Sequence, residues 1–401
     1  MHSINGAASR QQSASFMYLY ALAVSGGAVA YVPFLTILLP GRATALAGDG
    51  ALNMLALAAF AGAIAASIAN IGFGWASDRT RMRRPWIFAG LLLSTALLVA
   101  IPMAKTPNML ILVIVLWQVG LNMMLAPLAA WAGDCIPDSQ KGLLGGLLAL
   151  APALGAASGA LVTLEGLSPF QDREMLVAFL VLLMVAPVLI WGKPVPMPHL
   201  MENLPVAAEK SDVPRSPAMR MWIARLLVQI AEASLFAFLL LWFRSLDPNF
   251  RDNSTASIFA IVLGVAVFLA LIVGRWSDRN NRPILPLIWG SGVAAIGLVI
   301  MSLAPSLPIA IAGYVAFGLG SSIFLALHSS QTLRVLPRPQ TRGRDLGIFN
   351  LTNTLPSLIM PWLTLALVPA YGFSALFMLL AGLAMAACLL LQTLPRQIAE
   401  T

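Results

Sequence analysis

The sequence has 401 residues, of which 59% are hydrophobic and only 10% are charged, and its formal net charge is +8. Soluble globular chains are about 45–50% apolar and about 25% charged, so a water-soluble fold of this length could not cover its apolar side chains. The composition therefore predicts an integral membrane protein. Because backbone groups inside a bilayer must be hydrogen-bonded internally, the apolar runs are predicted to be helices rather than open strands.

Apolar runs of about 20 residues, the length that spans a bilayer, recur along the whole chain. In chain order they predict transmembrane helices over residues 14–40, 51–75, 86–104, 107–133, 142–164, 174–192, 219–243, 254–274, 283–304, 307–332, 345–368 and 373–394. The predicted fold class is an all-α integral membrane protein with twelve transmembrane helices.

The basic residues are distributed unevenly between the predicted loops. If the N-terminus is cytoplasmic, eighteen of the 24 Lys and Arg residues fall in inward segments and five fall in outward segments, namely Arg42, Lys105, Arg173, Arg244 and Arg251. This asymmetry follows the positive-inside rule and predicts that both termini are cytoplasmic. The net charge therefore reflects topology, and no nucleic-acid partner is expected. No removable signal peptide is expected either, and the short loops suggest a bacterial inner membrane.

The two halves of the chain repeat at a constant offset of 200 residues. Gly74, Ser77, Asp78 and Arg79 return as Gly274, Ser277, Asp278 and Arg279, and Gly120, Leu125, Ala126 and Pro137 return as Gly320, Leu325, Ala326 and Pro337. A Pro-rich, charged stretch over residues 194–217 separates the halves and predicts a cytoplasmic linker. We therefore predict two pseudo-symmetric six-helix bundles, over residues 1–193 and 218–401, as in secondary transporters with internal repeats.

The loop after the second predicted helix carries a motif that occurs twice. It runs Gly74-Trp-Ala-Ser-Asp78-Arg79-Thr-Arg81-Met-Arg83-Arg84-Pro85, and Gly274-Arg-Trp-Ser-Asp278-Arg279-Asn-Asn-Arg282-Pro283 stands at the matching place in the second half. Both copies resemble the loop motif of the major facilitator superfamily, and the resemblance extends over nearly the whole chain. It implies an inner gate made of Gly74, Asp78, Arg79, Arg83, Gly274, Asp278 and Arg279. Physically, the glycine would let two helices approach closely, and the aspartate could lie near the positive end of a neighbouring helix.

Two branches of the superfamily have further sequence motifs in common with the chain. The run from Ser77 to Trp86 and the run Gly347-Ile-Phe-Asn350-Leu-Thr-Asn353-Thr-Leu-Pro356 are similar to the sucrose and glycoside–pentoside–hexuronide:cation symporters. That similarity implies a sugar as substrate. The run Ala151-Pro152-Ala-Leu-Gly155 keeps only the proline and one glycine of the fifth-helix motif of drug antiporters. Efflux of amphipathic compounds therefore remains an alternative.

The seventh predicted helix carries three polar residues, Arg225, Gln229 and Glu232. A charge at a helix centre costs about 2.5–3.5 kcal/mol in the bilayer, so each one needs an explanation. The helical repeat places the three residues within about 60° of arc on one face, and the resemblance implies that this helix lines a central cavity. We predict that Glu232 exchanges the coupling proton and that Arg225 assists it or holds an anionic substrate group. Gln229 could bridge the two charges, and a polar clasp between helices is the alternative.

Further candidates lie in the other helices that the resemblance places around the cavity or at its inner mouth. His328 is a candidate proton relay because histidine titrates near physiological pH, and a satisfied interfacial histidine is the alternative. Candidates for substrate contact are Gln118, Asn122, Gln229, Tyr31, Tyr314, Asn350 and Asn353. Amide bonds between helices average only about 0.6 kcal/mol, so the amides could equally serve packing, and the tyrosines could be lipid-interface anchors.

The predicted function is secondary active transport by alternating access, in which a small polar solute such as a sugar is taken up together with a proton or another cation. Proton-coupled efflux and a non-transporting assembly factor or receptor of the same fold are the alternatives. No phosphate-binding loop, nucleophile–base pair or metal-ligand spacing is present, so neither an enzyme nor a metal or cofactor is expected. The expected partners are a small-molecule substrate, a proton and the lipid bilayer, and the protein is expected to be monomeric. Cys135 and Cys388 are interpreted as packing residues.

Overall fold

The computed structural model describes residues 11–137, 140, 144, 147–148, 150–167, 169–197, 216–280, 282–335 and 342–394. Within its helices, the side chains of residues 216, 218, 278, 329–335 and 342–350 lie outside this description. The described residues are mostly helical, and no strand occurs among them.

The first helical stretch is longer than predicted. It consists of α1 (Ala14–Pro33), a π-helical turn (Phe34–Leu38) and α2 (Leu39–Ala47). Ser13 caps its start, because the Ser13 hydroxyl accepts a hydrogen bond from the backbone N–H of Phe16 at 3.2 Å. Pro33 has no backbone N–H to donate, and the regular α-helical bonding changes directly after it. A 3₁₀ turn (Gly48–Gly50), with Gly48 at φ +51°, separates this stretch from the next helix.

The remaining helices agree with the predicted segments to within about five residues at their ends, except that α6 begins at Ala151 where the prediction began at residue 142, and most of the residues between lie outside the described part of the chain. They are α3 (Ala51–Thr80), α4 (Arg84–Ala100), α5 (Pro107–Cys135), α6 (Ala151–Val162), α7 (Arg173–Ile190), α8 (Ser216–Leu246), α9 (Asp252–Arg279), α10 (Leu285–Ser302), α11 (Leu307–Val335) and α12 (Arg342–Gln392). α12 is two helices that meet at Gly372, whose φ of +75° and ψ of 177° are not helical. This kink falls between the last two predicted segments, where only glycine adopts such angles without strain.

The described residues contain nine segments that are long and apolar enough to cross a membrane. The first of them, Ala14–Thr80, includes the break at Gly48, and the last, Leu351–Gln392, includes the kink at Gly372, so each holds two helices. The shorter apolar helix α6 adds another candidate. The all-α membrane class is confirmed, and the arrangement is consistent with the predicted twelve helices.

Contacts between Cα atoms divide the chain into two compact units. The first unit comprises Met1–Phe34 and Ile64–Pro205, and the second comprises Leu35–Ala63 and Val206–Thr401. In the first unit, α1 packs against α6 and α7, and α4 packs against α5 and α7. In the second unit, α10 packs against α11 and α12, α8 packs against α12, and α9 packs against α11. The predicted division at the linker stays a prediction.

Glycines at matching positions bring helices together in both halves. In the pair α4–α5, a Cβ atom on Gly90 would lie 2.3 Å from the backbone nitrogen of Met124. In the pair α10–α11, a Cβ atom on Gly290 would lie 2.8 Å from the carbonyl oxygen of Gly320. Gly90 and Gly290 are separated by the same offset as the repeated loop motif. The internal repeat of the sequence is therefore also a repeat of close helix packing.

Large apolar side chains are exposed along the outer faces of the helices. Ile71 is 74% exposed and Phe268 is 69% exposed, and most of the apolar length of α9 lies on the surface. Continuous apolar surface of this kind is not stable in water and is suited to lipid. The polar groups that the helices bury therefore stand out as the candidate functional residues.

Candidate functional site

One arginine joins three helix ends in the first unit. Arg83 precedes α4 and forms ion pairs with Asp134 at the end of α5 (2.7 Å) and with Asp78 near the end of α3 (2.6 Å). It also donates a hydrogen bond to the Ser77 hydroxyl at 2.6 Å. Partial burial lowers the pKa of the Arg83 guanidinium, but the hydrogen bonds and charges of Asp134 and Asp78 outweigh this effect and raise it. Arg83 therefore stays charged at physiological pH.

The second copy of the motif cannot build the same cluster. The positions that match Arg83 and Asp134 hold Pro283 and Arg334, so both the cation and one of its acceptors are replaced. In the second copy, the Ser277 hydroxyl donates to the backbone carbonyl of Arg282 at 3.1 Å. The side chain of Asp278 lies outside the described residues. The two predicted gate motifs are thus alike in their loop residues and differ at the positions that match Arg83 and Asp134.

The glycines and the other arginines of the motif have unequal surroundings. A Cβ atom on Gly274 would lie 3.2 Å from Leu327 Cδ2, whereas one on Gly74 would meet no atom within 4 Å among the described residues. The expectation that Gly74 permits a close helix approach is wrong for this structure, and Gly90 serves that purpose instead. The Arg79 guanidinium lies 5.7 Å from the centre of the Trp75 ring, and Arg279 is exposed.

Two residues on the polar face of α8, Arg225 and Gln229, form hydrogen bonds with α12. The Asn353 side-chain oxygen accepts hydrogen bonds from Arg225 Nη2 at 3.3 Å and from Gln229 Nε2 at 3.1 Å. The expectation that Gln229 bridges Arg225 and Glu232 is wrong, because Asn353 is the residue that links Gln229 to Arg225. Gln229 Oε1 is buried and has no hydrogen-bond partner in the part of the chain that the structure describes. The cluster therefore joins one guanidinium to two amides and keeps one acceptor unused.

His328 lies in α11 and contacts α8 at two points. Its Nε2 is 2.9 Å from the backbone carbonyl oxygen of Met221, and its Nδ1 is 3.5 Å from Arg225 Nη1. The side chain is completely buried, and its ring packs against Phe324. These contacts fix the position of the imidazole next to the Arg225 guanidinium. They favour the interpretation of His328 as a buried, hydrogen-bonded residue that positions Arg225.

Glu232 faces a separate small pocket between α8, α9 and α11. The pocket has a volume of about 10 Å³ and is lined mainly by apolar and aromatic side chains, together with Tyr314 and Ser321. The Ser321 hydroxyl forms a hydrogen bond with the Glu232 carboxyl. Glu232 Oε2 is shielded from solvent and has no hydrogen-bond partner among the described residues. A space of this size accepts about one water molecule, so the pocket suits a proton rather than a solute.

The amides predicted in the first unit bond to each other and to a neighbouring helix. Asn122 donates to the Gln118 backbone carbonyl at 2.9 Å, and its side-chain oxygen accepts a hydrogen bond from Asn70 at 3.2 Å. Asn70 is in α3, so this bond links α3 to α5. The adjacent Trp117 is fully buried against Phe34, and its Nε1 has no partner among the described residues. This geometry supports a packing role for Asn122 and leaves the Gln118 side chain as the better candidate for substrate contact.

The remaining predicted residues are dispersed. Tyr31 is half-buried in α1, and Tyr314 is buried in the second unit, where it stacks on Phe259 with ring centres 6.5 Å apart. Asn350 lies in α12, and its side chain is outside the description. Sequence analysis missed Asn70 and Ser321, because an uncharged polar residue in a helix gives no signal until its partner is known.

The fold and these buried polar groups define a polytopic α-helical membrane protein with polar sites inside its helical units. The family model of the Major Facilitator Superfamily matches residues 13–286 and 221–400, which together span nearly the whole sequence. The chain belongs to the major facilitator superfamily, whose members are membrane transporters. The resemblance predicted from the loop motifs is therefore confirmed, whereas the sugar-symporter branch stays a prediction.

Comparison with individual proteins adds a fold relationship. No curated protein matches the sequence. Among solved structures, the human organic anion transporter MFSD10 (TETRAN) is similar, with a TM-score of 0.65 and 14% sequence identity over 94% of this chain and 98% of that chain. At this level of identity, the likeness shows the shared fold alone.

Proposed function

We propose that this protein is a proton-coupled secondary transporter that takes up a small polar solute by alternating access, with Glu232 as the proton-binding group. The observation that carries the proposal is the solvent-shielded Oε2 of Glu232, which lies in a mainly apolar pocket and has no hydrogen-bond partner among the described residues. An ionised carboxylate is costly to bury in such surroundings, whereas the neutral acid is not. Binding or release of one proton therefore changes the free energy of packing α8 against α9 and α11.

The solute site is assigned to the cluster of Arg225, Gln229 and Asn353. A guanidinium and two amides offer several donors and acceptors side by side, as recognition of a polar solute requires. The unused Gln229 Oε1 is an acceptor for a solute hydroxyl or amine. The Arg225 guanidinium additionally favours an anionic group, because it binds carboxylates in a forked geometry. The similar structure is named an organic anion transporter, so small organic anions join sugars as the first compounds to assay.

Both sites lie on α8, which provides a physical route for coupling. Arg225 and Glu232 are seven residues apart, which corresponds to about 10 Å along the helix axis. A tilt or rotation of α8 would therefore change the surroundings of the proton site and the solute site together. This arrangement couples the two occupancies without a direct bond between the two side chains.

The test uses the full-length protein in proteoliposomes with a panel of labelled sugars and small carboxylates. Glu232→Gln should keep solute exchange in counterflow and lose accumulation driven by a pH gradient. Glu165→Gln removes a carboxylate from an exposed loop position and should leave both processes unchanged. Unchanged accumulation in Glu232→Gln would refute the proton assignment. Specific binding without counterflow of any bound compound would instead support a non-transporting receptor.

A further inference from the structure

A pocket of about 420 Å³ lies in the first unit, where α3 and α5 end and α4 begins. Its lining includes Arg81, Arg83, Arg84, Trp131, Asp134 and Met197. The volume falls within the range of about 300–1,000 Å³ that is common for small-molecule sites. Because Arg83 is paired with Asp134, the positive charge of Arg81 and Arg84 is the excess charge of the pocket.

The Arg84 side chain lies over the aromatic ring of Trp131. Its guanidinium carbon lies 5.5 Å from the centre of the Trp131 ring, and the same ring packs edge-on against Phe16 at 5.4 Å. A cation held over an indole keeps its N–H groups available at the ring edge. Neither Arg81 nor Arg84 pairs with a carboxylate in the part of the chain that the structure describes. The pocket therefore presents two guanidiniums that can bind an anion.

Arg81 occupies an unusual backbone conformation at the rim of the pocket. Its φ is +52°, and it is the one non-glycine residue with positive φ among the described residues. Its backbone N–H donates to the Asp78 carbonyl at 3.2 Å, which closes the last turn of α3. A left-handed conformation strains residues other than glycine, and such strain concentrates at functional sites. The presence of arginine where glycine would be easier indicates that the side chain is used.

Gln12 holds the segment that contributes Pro194 and Pro196 to the lining of the pocket. The Gln12 side chain donates to the carbonyl of Cys135 at 2.7 Å and to that of Val195 at 2.7 Å, and it accepts from the Val195 N–H at 2.9 Å. The Gln140 side chain accepts a hydrogen bond from the Gln12 backbone N–H at 2.7 Å and donates one to the Gln12 backbone carbonyl at 3.1 Å. These bonds fix the segment after α7 against the end of α5. The pocket is therefore formed in advance of any ligand.

We propose that this pocket binds the phosphate group of an anionic phospholipid. Two arginines with free N–H groups are the residues of choice for phosphate oxygens. The pocket lies at the ends of membrane-spanning helices, on the side predicted to be cytoplasmic, where clustered basic residues attract anionic lipids. Met82 in its lining is 54% exposed, which provides apolar surface for acyl chains. A soluble phosphate ester offers similar phosphate oxygens and lacks those chains.

The experiment measures lipid binding to the detergent-solubilised full chain by native mass spectrometry. Phosphatidylglycerol is compared with phosphatidylcholine of the same acyl chains, and glycerol phosphate and inorganic phosphate serve as soluble probes. The double variant Arg81→Gln/Arg84→Gln should bind phosphatidylglycerol about 30-fold more weakly, at roughly a fivefold loss per arginine. The matched control, Arg275→Gln/Arg282→Gln, removes two exposed charges from the end of α9 and the loop that follows it and should bind as the wild type does.

Two further measurements separate charge from folding. Arg81→Gly keeps the left-handed turn and removes the charge, so it should lose affinity for phosphatidylglycerol without losing thermal stability. Phosphatidylglycerol should also slow the chemical modification of Cys135, which lines the pocket, and leave Cys388 unaffected. Equal affinity for both phospholipids, or equal weakening by the control pair, would overturn the proposal. So would soluble glycerol phosphate binding as tightly as phosphatidylglycerol, because the site would then serve a soluble ester.

Discussion

Arg83 is the best place to test how the ends of α3, α4 and α5 are held together. Its side chain is 13% exposed, compared with 24% for Asp134 and 64% for Asp78. The pair with the exposed Asp78 is screened by solvent and contributes about 0–1 kcal/mol. The more buried, charge-assisted bond to Asp134 contributes about 1.5–3 kcal/mol. We therefore expect Arg83→Ala to weaken the attachment of the end of α5 by about 2 kcal/mol, mainly through the loss of Asp134 as a partner.

The two cysteines of the chain provide a local assay for this loss. Cys135 follows Asp134 directly, Cys388 lies in the second unit, and both are buried and free. A loss of about 2 kcal/mol corresponds to roughly 30-fold more frequent opening. Maleimide modification of Cys135, measured in a Cys388→Ala background, should accelerate by about that factor in Arg83→Ala. Modification of Cys388, measured in a Cys135→Ala background, should stay unchanged.

Three results would contradict this explanation. Unchanged modification of Cys135 would mean that Arg83 does not hold the end of α5, and an equal rise at Cys388 would mean that the whole protein is destabilised. An effect of Asp78→Asn as large as that of Asp134→Asn would contradict the ranking by exposure. The pKa of Arg83 is raised on folding, so its contribution is complete below the usual arginine pKa and is lost only as the pH rises through the higher folded value. The ratio of variant to wild-type rates should therefore be constant across neutral pH.

Two more substitutions test packing and the pocket wall. A Cβ atom on Gly297 would lie 2.4 Å from the backbone nitrogen of Phe317, so Gly297→Ala should destabilise by about 1–3 kcal/mol in detergent-induced unfolding followed by circular dichroism. A Cβ atom on Gly264 would meet no atom within 4 Å among the described residues, so Gly264→Ala should stabilise the protein by up to about 1 kcal/mol. A shift of both variants in the same direction would refute the packing argument. Gln12→Ala should increase protease cleavage in the segment after α7, whereas Gln11→Ala, which changes an exposed residue, should not. Equal cleavage of the two variants would show that the side-chain bonds of Gln12 do not hold that segment.

The polar candidates show where sequence reasoning about the site succeeds and where it fails. Helical periodicity places Arg225, Gln229 and Glu232 on one face of α8, and all three have buried polar atoms or polar contacts there. It cannot choose their partners, because Asn353 and Ser321 are more than eighty residues away in the chain. The expected Gln229 bridge is wrong for this reason. The single face is in fact shared between a polar cluster and a mainly apolar pocket.

Gln12 is a second example of a residue whose role cannot be read from the sequence. It lies in a polar segment before the first helix, where no periodic pattern distinguishes it from Gln11. Its role depends on two backbone segments, at Cys135 and Val195, that converge on its side-chain amide, and that convergence exists only in the folded unit. A buried amide of this kind is strongly specified by its partners and invisible without them.

The sequence by itself determined the membrane class, the helical segments, the repeat and the superfamily. These follow from it because a bilayer requires each spanning segment to be apolar and to satisfy its own backbone, which are local conditions that composition and spacing express directly. Only the tertiary structure decided that Gly90 rather than Gly74 allows close packing, that Asn353 links Arg225 to Gln229, and that Glu232 has a pocket of its own. Those outcomes depend on which helices meet and at what depth, and side-chain contacts between distant segments have no counterpart in local hydropathy.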